Sequence, residues 1–364
     1  MKYALDQFFR FIVGILFIFS GLIKINDPLG TSIKLKEYFE VFATDFGSFF
    51  EFFVPHSLFI AVFVVVLEVL LGIALLINYR IALTAWGFLI LILLFSFLTF
   101  YSAFFNKVTD CGCFGDAIPL TPWESFLKDV VLLVLILYIF FRRKHYHSLF
   151  RHRTGDFIML VALLINTFLA AYAIRHLPYI DFRPYKVGNN IPDLMEPSEP
   201  YRYRYIFEKN GETYVFNDFP EDTTYEYKDL ELLNPEAQPK ITDYHIWTDE
   251  GDYTEESLTG IKLIIVFYDI TKASARHIDE INDLISRLPP AVEVLALTAS
   301  GEEQFESFRH ENQFAVPYYF ADMTVLEAVI RSNPGLLLLK DGTVLGKWHH
   351  NDVPDPVVIS DLIK

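Results

Sequence analysis

Hydrophobic positions gather into long unbroken runs before residue 180 of this chain and into short, often alternating ones after it. An apolar run of about 18 residues or more matches the thickness of a bilayer core. Five stretches qualify or nearly so, at 8–25, 57–77, 81–105, 123–141 and 155–174, and each predicts a membrane-spanning helix. The first continues through Phe17-Ile18-Phe19 to Lys24 with no small-x-small cleavage site, so it reads as a span rather than a signal peptide. Four further apolar segments behind it argue against a soluble helical core.

Past residue 175 the pattern changes. Pro178 and Pro184 end helices and favour extended chain, which makes this stretch a juxtamembrane linker. Residues 201–215 alternate aromatic and charged side chains around Asn210-Gly211, a hairpin signal. The tyrosines there read as a half-buried strand face more readily than as a ligand platform. From Tyr244 strand and helix alternate: strands at 261–267, 292–297 and 317–320, helices at 273–288, 302–314 and 324–330, and a hairpin at Asp341-Gly342. Such alternation predicts an α/β sheet with mixed pairing. The expected fold class is an α-helical transmembrane bundle followed by an α/β domain. Its divisions fall at 1–145, 146–176 (loop end and fifth span), 177–241 and 242–364.

Charge sharpens this division. Residues 1–180 carry 14 Lys+Arg and 12 Asp+Glu, whereas residues 181–364 carry 16 and 34, within a net charge of -16. An acidic chain of this kind is no general nucleic-acid binder, because a phosphate backbone demands a basic face. The connection 142–153 holds Arg142, Arg143, Lys144, Arg151 and Arg153 with no acid, and therefore faces the cytoplasm. Alternation puts the N-terminus and the Tyr79-Arg80 turn on that side. Connections 26–56 and 106–122 and the acidic C-terminal half fall outside. The expected location is a bacterial inner membrane, with the lipid bilayer as the first partner, a cytoplasmic N-terminus and a periplasmic C-terminal domain.

Glu68 sits near the middle of the second span, where a charge is expensive and by default suggests function. The plainer alternative is a protonated glutamate hydrogen-bonded to a neighbouring helix. Arg10 is positioned either to pair with it or to snorkel to the headgroups. Lys128 and Asp129 lie about two turns into the fourth span, on the side of the 106–122 connection. Lys128 is a candidate for lowering a thiol pKa, and a simple Lys128–Asp129 interfacial pair is the competing reading.

The chain has two cysteines, in Thr109-Asp110-Cys111-Gly112-Cys113-Phe114-Gly115-Asp116. Two thiols separated by one glycine can close a small ring, since glycine tolerates the tight backbone. Strained, exposed disulfides are the labile or catalytic kind, and an extracytoplasmic loop is an oxidising setting. Cys111 and Cys113 are therefore the candidate redox pair. A static loop staple and two unpaired thiols stay open as alternatives. The loop is a poor zinc site by comparison, because two sulfurs with no nearby Cys or His do not complete a tetrahedron. No other metal site is expected: His349 and His350 are adjacent, so on a strand their side chains diverge. A capping or interface role suits them better. His145, His147 and His152 sit among arginines, a poor setting for a cation.

The membrane half resembles the DoxX/MauE superfamily of small four-helix membrane proteins over about residues 5–141. The matching features are Arg10-x3-Gly14, Ser20-Gly21-x2-Lys24, Glu68-x3-Gly72 and the block Cys111-Gly112-Cys113-Phe114-Gly115. That resemblance implies a role in maturation of disulfide-containing or redox partner proteins. The C-terminal part, about 242–364, is similar to the thioredoxin fold and in particular to its membrane-tethered, TlpA-like forms. Ile330-Arg331-Ser332-Asn333-Pro334-Gly335 and the following hairpin match the cis-proline strand of that fold. The opening hairpin is matched by Trp247-Thr248-Asp249-Glu250-Gly251. Lys272 and Ala275 stand where the family's two cysteines would be, so the resemblance implies a domain without its own thiolate chemistry. Asn333 and Pro334 are then the candidate client-binding positions, or an inherited scaffold.

Two functions compete. In one, Cys111 and Cys113 pass electrons between an extracytoplasmic thiol or disulfide client and a membrane carrier; no cofactor is required, and a quinone is the candidate carrier. In the other, the protein is a non-enzymatic membrane scaffold or assembly factor with a stapled loop. A small-solute transporter has only Glu68 in its favour and no inverted repeat.

Overall fold

The computed structural model describes residues 2–108 and 114–364; Cys111 and Cys113 lie outside the described residues. The chain forms two compact units, Met1–Phe182 and Arg183–Lys364.

The first unit is helical. α1 (Lys2–Asn26) is followed by α2 (Pro28–Phe46), which starts where the Asp27 side chain accepts from the Gly30 N–H and Pro28 supplies a preset φ. A 3-10 segment, Ser48–His56, leads into α3 (Ser57–Leu76), and α4 (Ile81–Phe105) returns. α5 (Pro122–Arg142) begins at a capping box between Thr121 and Glu124, and α6 (His152–Arg175) completes the unit. The connection 26–56 is thus largely helical.

Four segments are long and apolar enough to cross a membrane: Ala4–Asn26, Ser48–Leu76, Ile81–Phe105 and His152–Arg175. The remaining predicted span, α5, is a 21-residue helix that carries Glu124, Lys128, Asp129 and Arg142. Its Leu132, Ile136 and Ile139 nevertheless pack into one core with Val13, Phe17, Phe88 and Ile92. The outer surface explains why water is the wrong solvent: Phe8, Phe59, Phe63, Leu83, Phe104, Phe157 and Phe168 are all more than half exposed. Helices satisfy their own backbone groups, so such a surface is stable against lipid. The chain is a multi-pass membrane protein.

Glycine sets the closest helix crossing. A Cβ on Gly72 would lie 2.8 Å from the Gly14 carbonyl oxygen, and one on Gly21 would lie 2.5 Å from Val69 Cγ2. The backbones of α1 and α3 meet because these positions carry no side chain, the small-residue solution to packing in lipid.

The second unit is α/β. Its short α7 (Ile191–Met195) precedes β1 (Tyr203–Lys209), β2 (Glu212–Phe216) and β3 (Glu226–Leu232), which form a sheet in the order β2-β1-β3. The β1–β2 hairpin turns at Asn210 and Gly211, both with positive φ. The larger sheet contains β4 (Ile246–Thr248), β5 (Gly251–Asp252), β6 (Ile261–Phe267), β7 (Val292–Thr298), β8 (Tyr318–Ala321), β9 (Gly335–Lys340) and β10 (Thr343–His349). Its order is β10-β9-β6-β7-β8-β4-β5, parallel for β6–β7–β8 and antiparallel elsewhere. α8 (Thr254–Leu258), α9 (Ile278–Ser286), α10 (Glu302–Glu311), α11 (Met323–Val329) and α12 (Pro356–Leu362) occupy the connections and the C-terminal end. Strand β6 is buried throughout except at Ile261; its residues 263–267 are all apolar, as a central strand requires, and the buried Lys262 pairs with Glu293. This arrangement is consistent with a thioredoxin-like fold.

Two local expectations need correcting. The helix predicted over 273–288 starts only at Ile278, because the Ser274 N–H is held by the Asn333 carbonyl at 2.9 Å. The His349 and His350 rings do not diverge. Strand β10 ends at His349, the chain turns into a 3-10 segment, and the ring centroids lie 4.0 Å apart.

Candidate functional site

The membrane unit buries charge in two separate places. Glu68, in the twelfth position of α3, accepts from Lys24 Nζ of α1 at 2.8 Å. Lys24 is 7% exposed and Glu68 2%, so neither charge is solvated; an unpaired charge there would cost several kcal/mol, roughly. The pairing follows from the glycine crossing, since Gly21 lets α3 approach within one turn of Lys24. Arg10 is not the partner of Glu68. It lies 14 positions from Lys24, about 21 Å along the helix, and is itself buried. At that opposite end Asp6 accepts from Arg142 at 2.6 and 2.8 Å and from the Tyr138 hydroxyl at 2.8 Å.

A second buried carboxylate lines the same cavity as the first. Asp129 of α5 is fully buried. It pairs with Lys128, and the Thr99 hydroxyl of α4 lies 3.0 Å from its Oδ2. Lys128 and Asp129 are paired, as one of the two readings expects, but Asp129 is buried rather than interfacial. Lys128 Nζ also lies 5.4 Å from the centroid of the Phe114 ring.

Lys24, Glu68, Thr99, Lys128 and Asp129 all line a single cavity of about 120 Å³. Phe17, Ile92, Phe95, Phe114 and Leu132 supply much of its apolar wall, and Lys34 and Tyr38 of α2 close one side. Lys24 Nζ sits 4.8 Å from the Phe95 centroid. Five separate helices, α1 to α5, thus contribute polar side chains to one largely apolar hole. Phe114, bonded directly to Cys113, is part of its wall. Hydropathy singled out Glu68 and Lys128; it gave no signal for Thr99 or for Lys24 as a partner, because neither interrupts an apolar run by much.

In the α/β unit the Asn333–Pro334 peptide is cis. Both residues are buried. The Asn333 carbonyl accepts from the Ser274 N–H, and its side chain donates to the Asp269 carbonyl at 2.5 Å. Lys272 pairs with Asp269 at 2.6 Å and Ala275 follows the 3-10 turn at Ile270–Lys272. Burial pushes the Asp269 carboxyl up, but hydrogen bonds from Lys272 and Thr271 outweigh it and hold the group below its ordinary range. Nearby, His350 Nδ1 lies 3.1 Å from Ser332 Oγ and 3.3 Å from the Pro334 carbonyl. Burial lowers the His350 pKa, with His277 and Arg276 adding to the effect against Pro334 and Asp352. No group of three or more His, Cys, Asp or Glu among the described residues could hold a metal ion.

Comparison with known proteins bears on both halves. The chain is 39% identical over 46 residues to Protein TlpB of Flavobacterium psychrophilum, a match covering 13% of this chain and 12% of that protein. It therefore spans about one eighth of that relative. No solved structure matches. The membrane half has a wider counterpart: residues 2–142, which include α1 to α5 and every polar group of the cavity, match the family model of methylamine utilisation protein MauE.

Proposed function

We propose that this protein is a membrane thiol–disulfide oxidoreductase acting outside the cytoplasm of a bacterial inner membrane. Cys111 and Cys113 are its working pair. Their disulfide accepts two electrons from a client dithiol: the client's S–S bond forms, the loop's S–S bond breaks, and two protons pass with the electrons. The α/β domain, without thiols at Lys272 and Ala275, binds the client or a partner and performs no exchange itself. Orientation rests on the basic connection 142–153, which keeps the N-terminus in the cytoplasm and the cysteine loop outside.

The observation that carries this reading is the wall residue Phe114. Cys113 directly precedes Phe114, a wall residue of the cavity that holds Lys24, Glu68 and Asp129, and this adjacency supports a working pair over a loop staple. Thiol trapping in intact cells tests it, using a membrane-impermeant mass-tagged maleimide with and without a brief reductant pulse. Labelling only after reduction, followed by rapid reoxidation, is the expected result. A bridge that never reduces, or thiols that are always free, would remove the proposal.

A non-enzymatic scaffold is the second reading, favoured by the closed state of the Asn333 surface. The 269–274 turn occupies the Asn333 carbonyl and side-chain N–H, so a client docking on those groups has first to displace it. A Cys111→Ser/Cys113→Ser variant with full function and normal abundance would select the scaffold.

A further inference from the structure

Resting on the oxidoreductase reading, we infer that the cavity between Lys24, Glu68, Thr99 and Asp129 is the binding site for the headgroup of a lipid 1,4-quinone, which reoxidises the loop thiols. The inference starts from size. A cavity of about 120 Å³ is in the class of the roughly 150 Å³ apolar hole that takes benzene. It accommodates at most one planar ring, so the tail of such a lipid has to lie outside it.

Chemistry narrows the class. Phe17, Phe95 and Phe114 give the wall an aromatic character that suits such a ring. The cavity's polar groups suit an acceptor of hydrogen bonds. An ammonium has three N–H donors, and Glu68 accepts one from Lys24, so the same nitrogen can also donate to a quinone oxygen without breaking its ion pair. A saturated acyl chain would leave these charges facing hydrocarbon, at a cost that polar groups in lipid do not normally bear. Sugar-like ligands fail on the apolar wall.

Electron balance requires such a partner. Rejoining Cys111 and Cys113 forms one S–S bond and releases two electrons and two protons. The chain contains no further cysteine to take them. A quinone gains two electrons and two protons and leaves as the hydroquinone, so the step closes with no other reactant. Lys24 and Glu68 are positioning residues here: they orient the ring oxygen while the thiols do the chemistry.

The test uses the full-length protein in phospholipid vesicles and an azido-1,4-benzoquinone with a decyl tail. Photolabelling is mapped by mass spectrometry and competed with unlabelled decyl-benzoquinone. The expected label falls on peptides holding Phe95, Phe114 or Leu132. It should drop at least tenfold in Leu16→Trp, at the cavity edge, and in Leu132→Phe, and persist in Cys111→Ser/Cys113→Ser. Two filling variants are used so that one failing to fold does not end the test. Label that is diffuse, is not competed, or ignores both filling variants would overturn the site, while thiol cycling with a soluble oxidant would still uphold the oxidoreductase reading. Specific label in the cavity, with thiols that reoxidise with a soluble oxidant but never in quinone-containing vesicles, would overturn the acceptor role alone; thiols that reoxidise with neither would overturn the oxidoreductase reading as well.

Discussion

Lys24 and Glu68 face each other across two helices at 2.8 Å, 44 residues apart in sequence. Breaking a buried pair from one side leaves an uncompensated charge, typically at about 3–5 kcal/mol. Glu68→Leu or Lys24→Met alone should lower the unfolding temperature of the detergent-solubilised protein sharply. The double variant Lys24→Met/Glu68→Leu should recover more than half of that loss. Additive losses in the double-mutant cycle would show that the two charges do not interact.

Helix crossing makes a second, independent demand. A Cβ on Gly72 meets the Gly14 carbonyl oxygen, a backbone atom, whereas one on Gly87 meets the flexible end of Leu71 at 2.7 Å. Gly72→Ala should therefore cost on the order of 1–3 kcal/mol, in the range of overpacking, and Gly87→Ala visibly less. Thermal unfolding of the two variants side by side checks the order; equal effects would contradict it.

The histidine cluster of the α/β unit predicts a dependence on pH. His350 titrates below its ordinary value of 6.5 in the folded protein, so below that pH the unfolded chain binds the proton more readily. Stability contributed by neutral His350 is present above pH 6.5 and is lost as pH falls through that value toward the lower folded pKa. Denaturant unfolding of the full chain at pH 7.5 and 5.5 should show a loss that His350→Gln reduces. An unchanged slope in that variant would assign the pH effect to other groups.

The Lys128–Asp129 pair predicts a weak effect of Lys128 on the thiols. Asp129 lies against it and cancels most of its field at a distance. The thiol pKa read from the pH dependence of iodoacetamide alkylation should be unchanged in Lys128→Met/Asp129→Asn. A rise would give Lys128 back its role as a thiol-activating cation.

Much of the architecture was legible because bilayer and sheet impose periods that a sequence displays. Buried strand β6 and the Asn210-Gly211 turn are cases where local chemistry and tertiary demand agree. What stayed hidden had no local signature. Strand β3 exposes nearly every side chain, so no apolar alternation marks it; it exists because β1 offers an edge. Hydropathy offers Arg10 as a partner for Glu68 and passes over Lys24, since a run of apolar residues does not give azimuth. The glycine contacts between α1 and α3 supply the missing angle. His349 and His350 were misjudged for a related reason: the alternation rule holds only while the strand continues.

The two polar layers of the bundle are separated by an apolar band. Between Lys24–Glu68 and Asp6–Arg142 lie Val13, Phe17, Leu71, Leu75, Phe88, Leu91 and Ile92. No chain of titratable groups links the layers among the described residues, and helix backbones offer no relay of their own. Chemistry at the upper layer would therefore exchange its protons with one compartment alone. Turnover would move no net charge across the bilayer, and a collapsed membrane potential should leave its rate untouched.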